Sequence, residues 1–317
     1  MAQPTTGSVH VDSLLTTLSV AYIQKQENFL ATKVAPIVAV DRQSDKYAIY
    51  TKNDWFRDEA KLRTGSQESV GSGYNISTTT YFADVYSIHK DIDKHTRLNA
   101  DPVFNLENDA VEFVTQRLLL RREIDWVSSF FTTGVWATDS TPSNLWSNYA
   151  TSDPITDIET GKSAILASTG FEPNTLVLGY DTFRYLKNHP DIIDRIKYTS
   201  SETVTPQMLA RIFELDNVRV AKAVKATNAE NETGVYAFTH GKHALLCYVA
   251  PNPGLLVPSA MYTFAWRGVS GGLGESVAIS RFDLPERNGT IRVEGDIAFD
   301  HKVIGTDLGY FFNGAVA

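Results

Sequence analysis

Cysteine is almost absent. Cys247 is the only one in 317 residues, so no disulfide forms within the chain, and a zinc or iron-sulfur site built on several thiolates is excluded. Long apolar runs are missing too: the longest candidates, such as residues 244–250, are strand-sized, far short of the roughly 18 to 20 residues that a bilayer span takes, so no membrane association is expected. Positive charge is scarce. Twenty-nine Lys and Arg against 37 Asp and Glu leave a formal net charge of -8, which disfavours gripping phosphate backbones. The opening Met1-Ala2-Gln3-Pro4 has no basic stretch leading into an apolar core, so no secretory signal is read and a cytosolic site of synthesis is expected.

What remains is ordinary globular material. Hydrophobic residues at 43% and charged residues at 21% argue against disorder, low complexity and coiled coil, and the length suggests about two compact units. Stability has to come from packing or from assembly.

Residues 1 to about 40 read as an arm, with Leu14, Leu15, Leu18 and Tyr22 at helical spacing before Ala35-Pro36-Ile37-Val38 turns strand-like. Two strand-like runs follow, 46–52 and 77–89, and form a long hairpin around a polar stretch at 53–76. An intervening segment of that length is far beyond the usual two to five residues, which marks it as functional or as poorly ordered in the isolated molecule. Around Trp55 and Phe56 its charges alternate in sign, with Asp54, Asp58, Glu59 and Glu68 set among Lys52, Arg57, Lys61 and Arg63. That mixture suits docking on a similar partner more than holding an anion; an ordinary solvated loop is the competing reading.

The strongest helix is predicted over 105–131, after Asp101-Pro102, with one apolar stripe through Leu106, Ala110, Phe113, Leu120, Ile124, Val127 and Phe131 and a second through Val111, Val114 and Leu118. Two stripes predict a central strut packed on more than one side. Asp153-Pro154 opens a helix that ends near Gly170, Thr205-Pro206 opens another to about Leu215, and shorter helices flank Pro190. Strands are read at 175–178, 218–223 and 235–238, and the C-terminal part at 260–266, 276–282 and 290–301 is mostly strand.

Three motifs invite a chemical reading. Gly161-Lys162-Ser163 resembles the end of a phosphate-binding loop, but the first glycine is missing and the Asp153-Pro154 start puts the triplet inside a helix. Gly268-Val269-Ser270-Gly271-Gly272 satisfies G-x-S-x-G, with Asp296 or Asp300 and His301 following in hydrolase order; however, a turn and a strand follow Ser270 where a nucleophile elbow needs a helix, and adjacent Asp300 and His301 point to opposite faces. His240 and His243 lack the glutamate of H-E-x-x-H. No catalytic, cofactor-binding or metal-binding residue is assigned.

Arm, extended hairpin, strut helix, mixed middle and closing sheet together describe a building block. In that order, carried by the segment 28–36 (Asn-Phe-Leu-Ala-Thr-Lys-Val-Ala-Pro), by 81–91, by 174–179 running into 186–190, and by Thr205-Pro206-Gln207-Met208-Leu209-Ala210, the sequence resembles the major capsid proteins of tailed bacteriophages, with the Hong Kong 97-like fold they share with encapsulins. The resemblance implies an α+β chain divided into an N-terminal arm (1–40), an extended E-loop (41–90), a peripheral domain with its spine helix (91–169), an axial domain (170–265) and return strands of the peripheral domain (266–317). It implies pentamers and hexamers closing into an icosahedral shell around double-stranded DNA contacted non-specifically, in the virion, after assembly in the host cytoplasm. The inter-subunit contacts it implies in the loop are Trp55, Phe56, Arg57, Asp58, Glu59, Lys61 and Arg63. A portal and a possible decoration protein are further expected partners, and a separate scaffolding protein is expected because few residues precede the arm. Lys52 and Lys61 are candidate crosslink donors without an identified acceptor. The acidic balance suits a container for packed DNA, which a basic lining would hold fast. An encapsulin-like compartment and a serine hydrolase using Ser270 stand as alternatives.

Overall fold

The computed structural model describes residues 24–100, 105–197, 203–230, 232–254, 257–270 and 277–317; the helical spacing at Leu14 to Tyr22 lies outside them. The described chain begins with α1 (Ala31–Val34) and β1 (Ile37–Val40), then β2 (Ser44–Tyr50), α2 (Lys52–Trp55), β3 (Ile76–Phe82), β4 (Asp84–Ile92), α3 (Lys94–Leu98) and α4 (Leu106–Phe130). Next come β5 (Thr138–Ser140), α5 (Pro154–Thr169), β6 (Thr175–Gly179), α6 (Tyr180–Lys187), α7 (Pro190–Ile196), α8 (Pro206–Ile212), β7 (Asn217–Ala221), β8 (Val224–Ala226), β9 (Tyr236–Phe238) and β10 (Ala244–Cys247). It closes with β11 (Met261–Trp266), α9 (Arg267–Ser270), β12 (Ala278–Leu284), β13 (Thr290–Val303) and β14 (Gly309–Phe312).

The helices start where local chemistry says they should. Asn105 accepts from the Asn108 N–H ahead of α4, Asp153 from Ile155 and Thr156 ahead of α5 with Pro154 in its first turn, and Thr205 from Met208 ahead of α8. Gly170 ends α5 at φ +73°, a left-handed conformation that glycine adopts without a Cβ penalty.

The hairpin is real but shorter than its expected span. β2 and β3 pair antiparallel from Ser44 opposite Phe82 to Tyr50 opposite Ile76. Its base is pinched where the Ala83 N–H donates to the Gln43 carbonyl at 2.8 Å and Gln43 Nε2 donates back to the Ala83 carbonyl at 3.1 Å. The single strand expected over 77–89 is therefore two: past buried Ala83 the chain becomes β4 and pairs with β13 instead. β-Favouring residues run on through Tyr81, Ala83 and Val85, so propensity does not mark the break.

One five-stranded sheet has the order β1-β11-β13-β12, with β4 also on the long β13. Helix α4 lies on it, and so closely that a Cβ on Gly295 of β13 would meet Val114 at 2.3 Å. The buried stripe of α4 is Ala110, Val114, Leu118, Arg122, Trp126 and Phe130, with Leu119 and Glu123 alongside. This corrects the first predicted stripe: Phe113 is exposed, its ring under the cations of Arg117 and Lys90 at 4.9 and 5.3 Å, while Leu120, Ile124 and Val127 are only half-buried. Arg122 and Glu123 take the covered face because groups distant in sequence meet them there.

The other five-stranded sheet, β5-β14-β10-β6-β7, is buried on both faces. Leu176, Leu178, Leu246 and Phe312 face one way, among Trp146, Ile158 and Leu209; Val177, Leu245 and Phe311 face the other, among Trp126 and Phe130. Helix α4 thus reaches from one sheet, where Val114 and Leu118 meet Ile297 and Phe299, to the core of the other. At 25 residues it is about 38 Å long, which makes that reach possible.

Gly179, between β6 and α6, has no room for a side chain: a Cβ there would fall 2.0 Å from the Gly241 carbonyl oxygen. The obstacle is backbone held by neighbouring strands, so Gly179→Ala should cost at least about 2 kcal/mol, read as a lowered denaturation midpoint. An unchanged midpoint would mean that the turn at Gly241 gives way.

Candidate assembly surface

Residues 60–80, from beside the apex into β3, are exposed throughout. Among them stand Leu62 at 90% exposure, Val70, Tyr74 and Ile76, joined by Trp55 and Phe56 at 57% and 60%. Tyr50, Trp55 and Tyr74 form a trio with ring centres 5.8 to 6.1 Å apart, and the Asp54 carboxylate fastens the two arms by accepting from the Asn75 N–H at 2.8 Å and its side-chain amide at 3.1 Å. Arg57 pairs with Glu59 at 3.7 Å, Glu59 accepts from Ser72, and Arg63 donates to the Gln67 carbonyl at 2.6 Å. Among the described residues Asp58 and Lys61 have no ion-pair partner. Six large apolar side chains, with charges of both signs around them, are held out with no core beneath, an arrangement typical of a surface awaiting a partner. Lys52 is engaged by Asp307, and Phe56 sits close to Gly170, so the root of the apex rests against the body.

The arm segment is fastened differently. Gln24 pairs with Val224 through both its amide atoms, at 2.7 and 3.0 Å, and β1 joins β11 in parallel. Between these, Leu30, Ala31, Val34 and Ala35 are buried, and the Glu123 side chain of α4 receives their entry turn: Leu30 N–H lies 3.0 and 2.9 Å from its two oxygens, and Ala31 N–H 2.9 Å from Oε2. Burial pushes the Glu123 carboxyl up to about 7, against the pull of the two amides. His240 Nε2 lies 3.6 Å from Glu123 Oε1, and burial drives that imidazole down to about 3. Sequence reading missed this site: a glutamate in a helix reads as surface, and His240 was weighed only against His243, whose Nδ1 instead accepts from the Gly314 N–H at 3.0 Å.

The chemical motifs are absorbed by structure. Gly161 packs inside α5 against Leu246, and Lys162 bridges Glu172 and Glu214. Ser270 ends the helical turn α9 directly after β11. His301 is committed to the Thr263 hydroxyl at 2.9 Å and faces the Arg122 carbonyl at 3.4 Å; Asp300 accepts from the Phe82 N–H and pairs with Lys302; Asp296 accepts from Ser87. A second serine-histidine contact, Ser152 to His189 Nε2 at 2.9 Å, is not a nucleophile pair either. The Asp191 N–H donates to His189 Nδ1, so the ring proton is on Nε2 and points at Ser152, whose own proton goes to the Asn148 carbonyl. Among the described residues no three His, Cys, Asp or Glu side chains group as metal ligands, and no helix is long and apolar enough to cross a membrane.

Comparison with known proteins addresses the chain as a whole. The sequence model of the family described as phage major capsid protein E matches residues 133–257. A major capsid protein of Burkholderia phage BcepMu is 27% identical over 315 residues, covering 96% of both chains. Among solved structures, a phage-related protein from Bordetella bronchiseptica RB50 superposes with a TM-score of 0.69 at 23% identity, covering 92% of this chain and 93% of that one. The capsid of cyanophage P-SCSP1u gives 0.62 at 9% identity, over 97% of this chain and 93% of that one. The α+β fold is the fold of phage capsid subunits, and the resemblance to tailed-phage major capsid proteins read from the sequence is borne out along almost the entire chain.

Proposed function

We propose that this chain is the structural subunit of an icosahedral phage shell, built through pentamers and hexamers to enclose double-stranded DNA. The observation that carries the reading is the end-to-end likeness to a phage major capsid protein, 96% of each chain. Residues 1–40 act as the arm, the hairpin within 41–90 as the E-loop, 91–169 as the peripheral domain with α4 as its spine, 170–265 as the axial domain and 266–317 as the return strands. A second copy of the chain covers Trp55, Phe56, Arg57, Asp58, Glu59, Lys61 and Arg63: the exposed aromatic trio supplies apolar area, and the mixed charges set the register. The role is non-enzymatic. Scaffolding, portal and decoration proteins are separate partners, and assembly takes place in the host cytoplasm before the subunit resides in the virion.

The test is size-exclusion chromatography with negative-stain electron microscopy on the full chain, made alone and with its neighbouring genes. Closed shells, or rings of five and six, are expected; a compact monomer under both conditions would sink the reading.

A further inference from the structure

The Glu123–His240 contact has a proton count that its hydrogen bonds constrain. Thr239 lies 2.9 Å from His240 Nδ1, and its hydroxyl proton goes to the Ala223 carbonyl at 3.2 Å, so Nδ1 must be the donor to Thr239. That leaves a bare lone pair on Nε2, which has no hydrogen-bond partner and lies 3.6 Å from Glu123 Oε1 with both side chains fully buried. Two lone pairs facing each other without water are unfavourable; a proton on Oε1 directed at Nε2 removes the conflict. Oε2 remains free to accept from Leu30 and Ala31, each at 2.9 Å.

The geometry points to a one-proton latch: Glu123, in its acid form and donating to His240, holds the entry turn of the arm on α4, and the arm is released when the pair takes up a second proton. The pair joins three separate elements, the arm at Leu30 and Ala31, α4 at Glu123, and the segment after β9 at His240, so its protonation is coupled to their docking. Other charged groups face it. Arg122 is beside Glu123 on α4, and Lys33 comes from the arm with its ammonium donating to the Glu27 carbonyl at 3.0 Å; both favour an ionised Glu123, against burial. His240 is enclosed by Trp126 and Phe131, with ring centres 5.4 and 4.9 Å away, so a charged imidazole has no compensation from that side.

The direction of the pH effect follows from proton counting. Docked, the pair holds one proton between about 3, where His240 titrates, and about 7, where Glu123 does. Released, with the ordinary values of 4.5 and 6.5, it holds two protons in acid below the first, one between them and none above the second. Docking should therefore be indifferent to pH from about 4.5 to 6.5 and weaken in acid by up to about tenfold per pH unit.

Hydrogen exchange on the full chain, in whichever assembly state it purifies, reads this as protection factors for the Leu30 and Ala31 amides. A plateau between pH 5 and 6.5, with loss below 4.5, is expected. Glu123→Gln places a carboxamide where the acid stood, its oxygen toward the arm and its NH2 toward Nε2, and should keep protection within about threefold of the parent, whereas Glu123→Ala should lose about tenfold or more. Equal loss in both variants would show that a carboxylate charge holds the arm and would overturn the proposal. Should the variants fail to fold, ring 15N shifts of His240 in the parent protein decide: Nδ1 protonated with Nε2 accepting at pH 6 supports the latch, and the opposite tautomer refutes it.

Discussion

Replacing Trp55 and Phe56 together by serine should leave a folded subunit that no longer closes into shells. Both side chains are more than half exposed, and their contacts within the chain are confined to the aromatic trio and the approach of Phe56 to Gly170. Removing them takes little from the monomer, about 0.5 kcal/mol each, the usual size for exposed positions. Buried aromatics in an interface are worth far more, about 2 kcal/mol or above when they act as anchors, and a shell repeats the contact in every subunit. Particle yield by electron microscopy and sedimentation should drop more than about tenfold while the denaturation midpoint barely shifts. Full assembly of the double variant would remove the hairpin apex from the contact surface.

Trp146→Ala should produce the opposite pattern, a loss of stability of about 3 to 5 kcal/mol that removes the subunit before assembly becomes a question. Trp146 is fully buried; its ring lies 5.2 Å from that of Phe312, its indole N–H donates to Asp157 at 2.8 Å, and its backbone N–H donates to the Ala315 carbonyl at 2.8 Å. It thereby pins the stretch before α5 to the last strand and the C-terminal residues. Trp146→Phe restores most of the packing and leaves Asp157 without its donor, in a site where burial already raises the carboxyl above its ordinary range and the indole bond opposes that rise. The phenylalanine variant should fall between the two, about 1 to 3 kcal/mol below the parent, by denaturant titration. Indistinguishable midpoints for the parent and Trp146→Ala would contradict the packing described for this core.

Composition cannot tell these two tryptophans apart, yet their surroundings in the chain do so in part. Trp55 sits in a stretch of alternating charge too long for a hairpin turn, and exposure there was legible. Trp146 sits in Asn144-Leu145-Trp146-Ser147, which has no periodicity to place it in a core. Strand β14 went unread for a related reason: four residues between a turn and a terminus carry little pattern, although Phe311 and Phe312 face both sides of a sheet's interior.

Determined by the sequence alone were the features that depend on residues within about one helical turn. The starts at Asn105, Asp153-Pro154 and Thr205-Pro206 belong here, as do the stop at Gly170 and the apolar runs that became β6 and β10, because caps and periodicity are made by near neighbours. Only the tertiary structure decided that the hairpin ends at Ala83, where Gln43 closes it from 40 residues away. It alone decided that Arg122 and Glu123, not Phe113, turn inward. A buried carboxyl needs donors, and those of Glu123 are the Leu30 and Ala31 amides, 93 and 92 residues back along the chain. Burying charge is unfavourable until such partners are in place, and no local pattern records where the folded chain will put them.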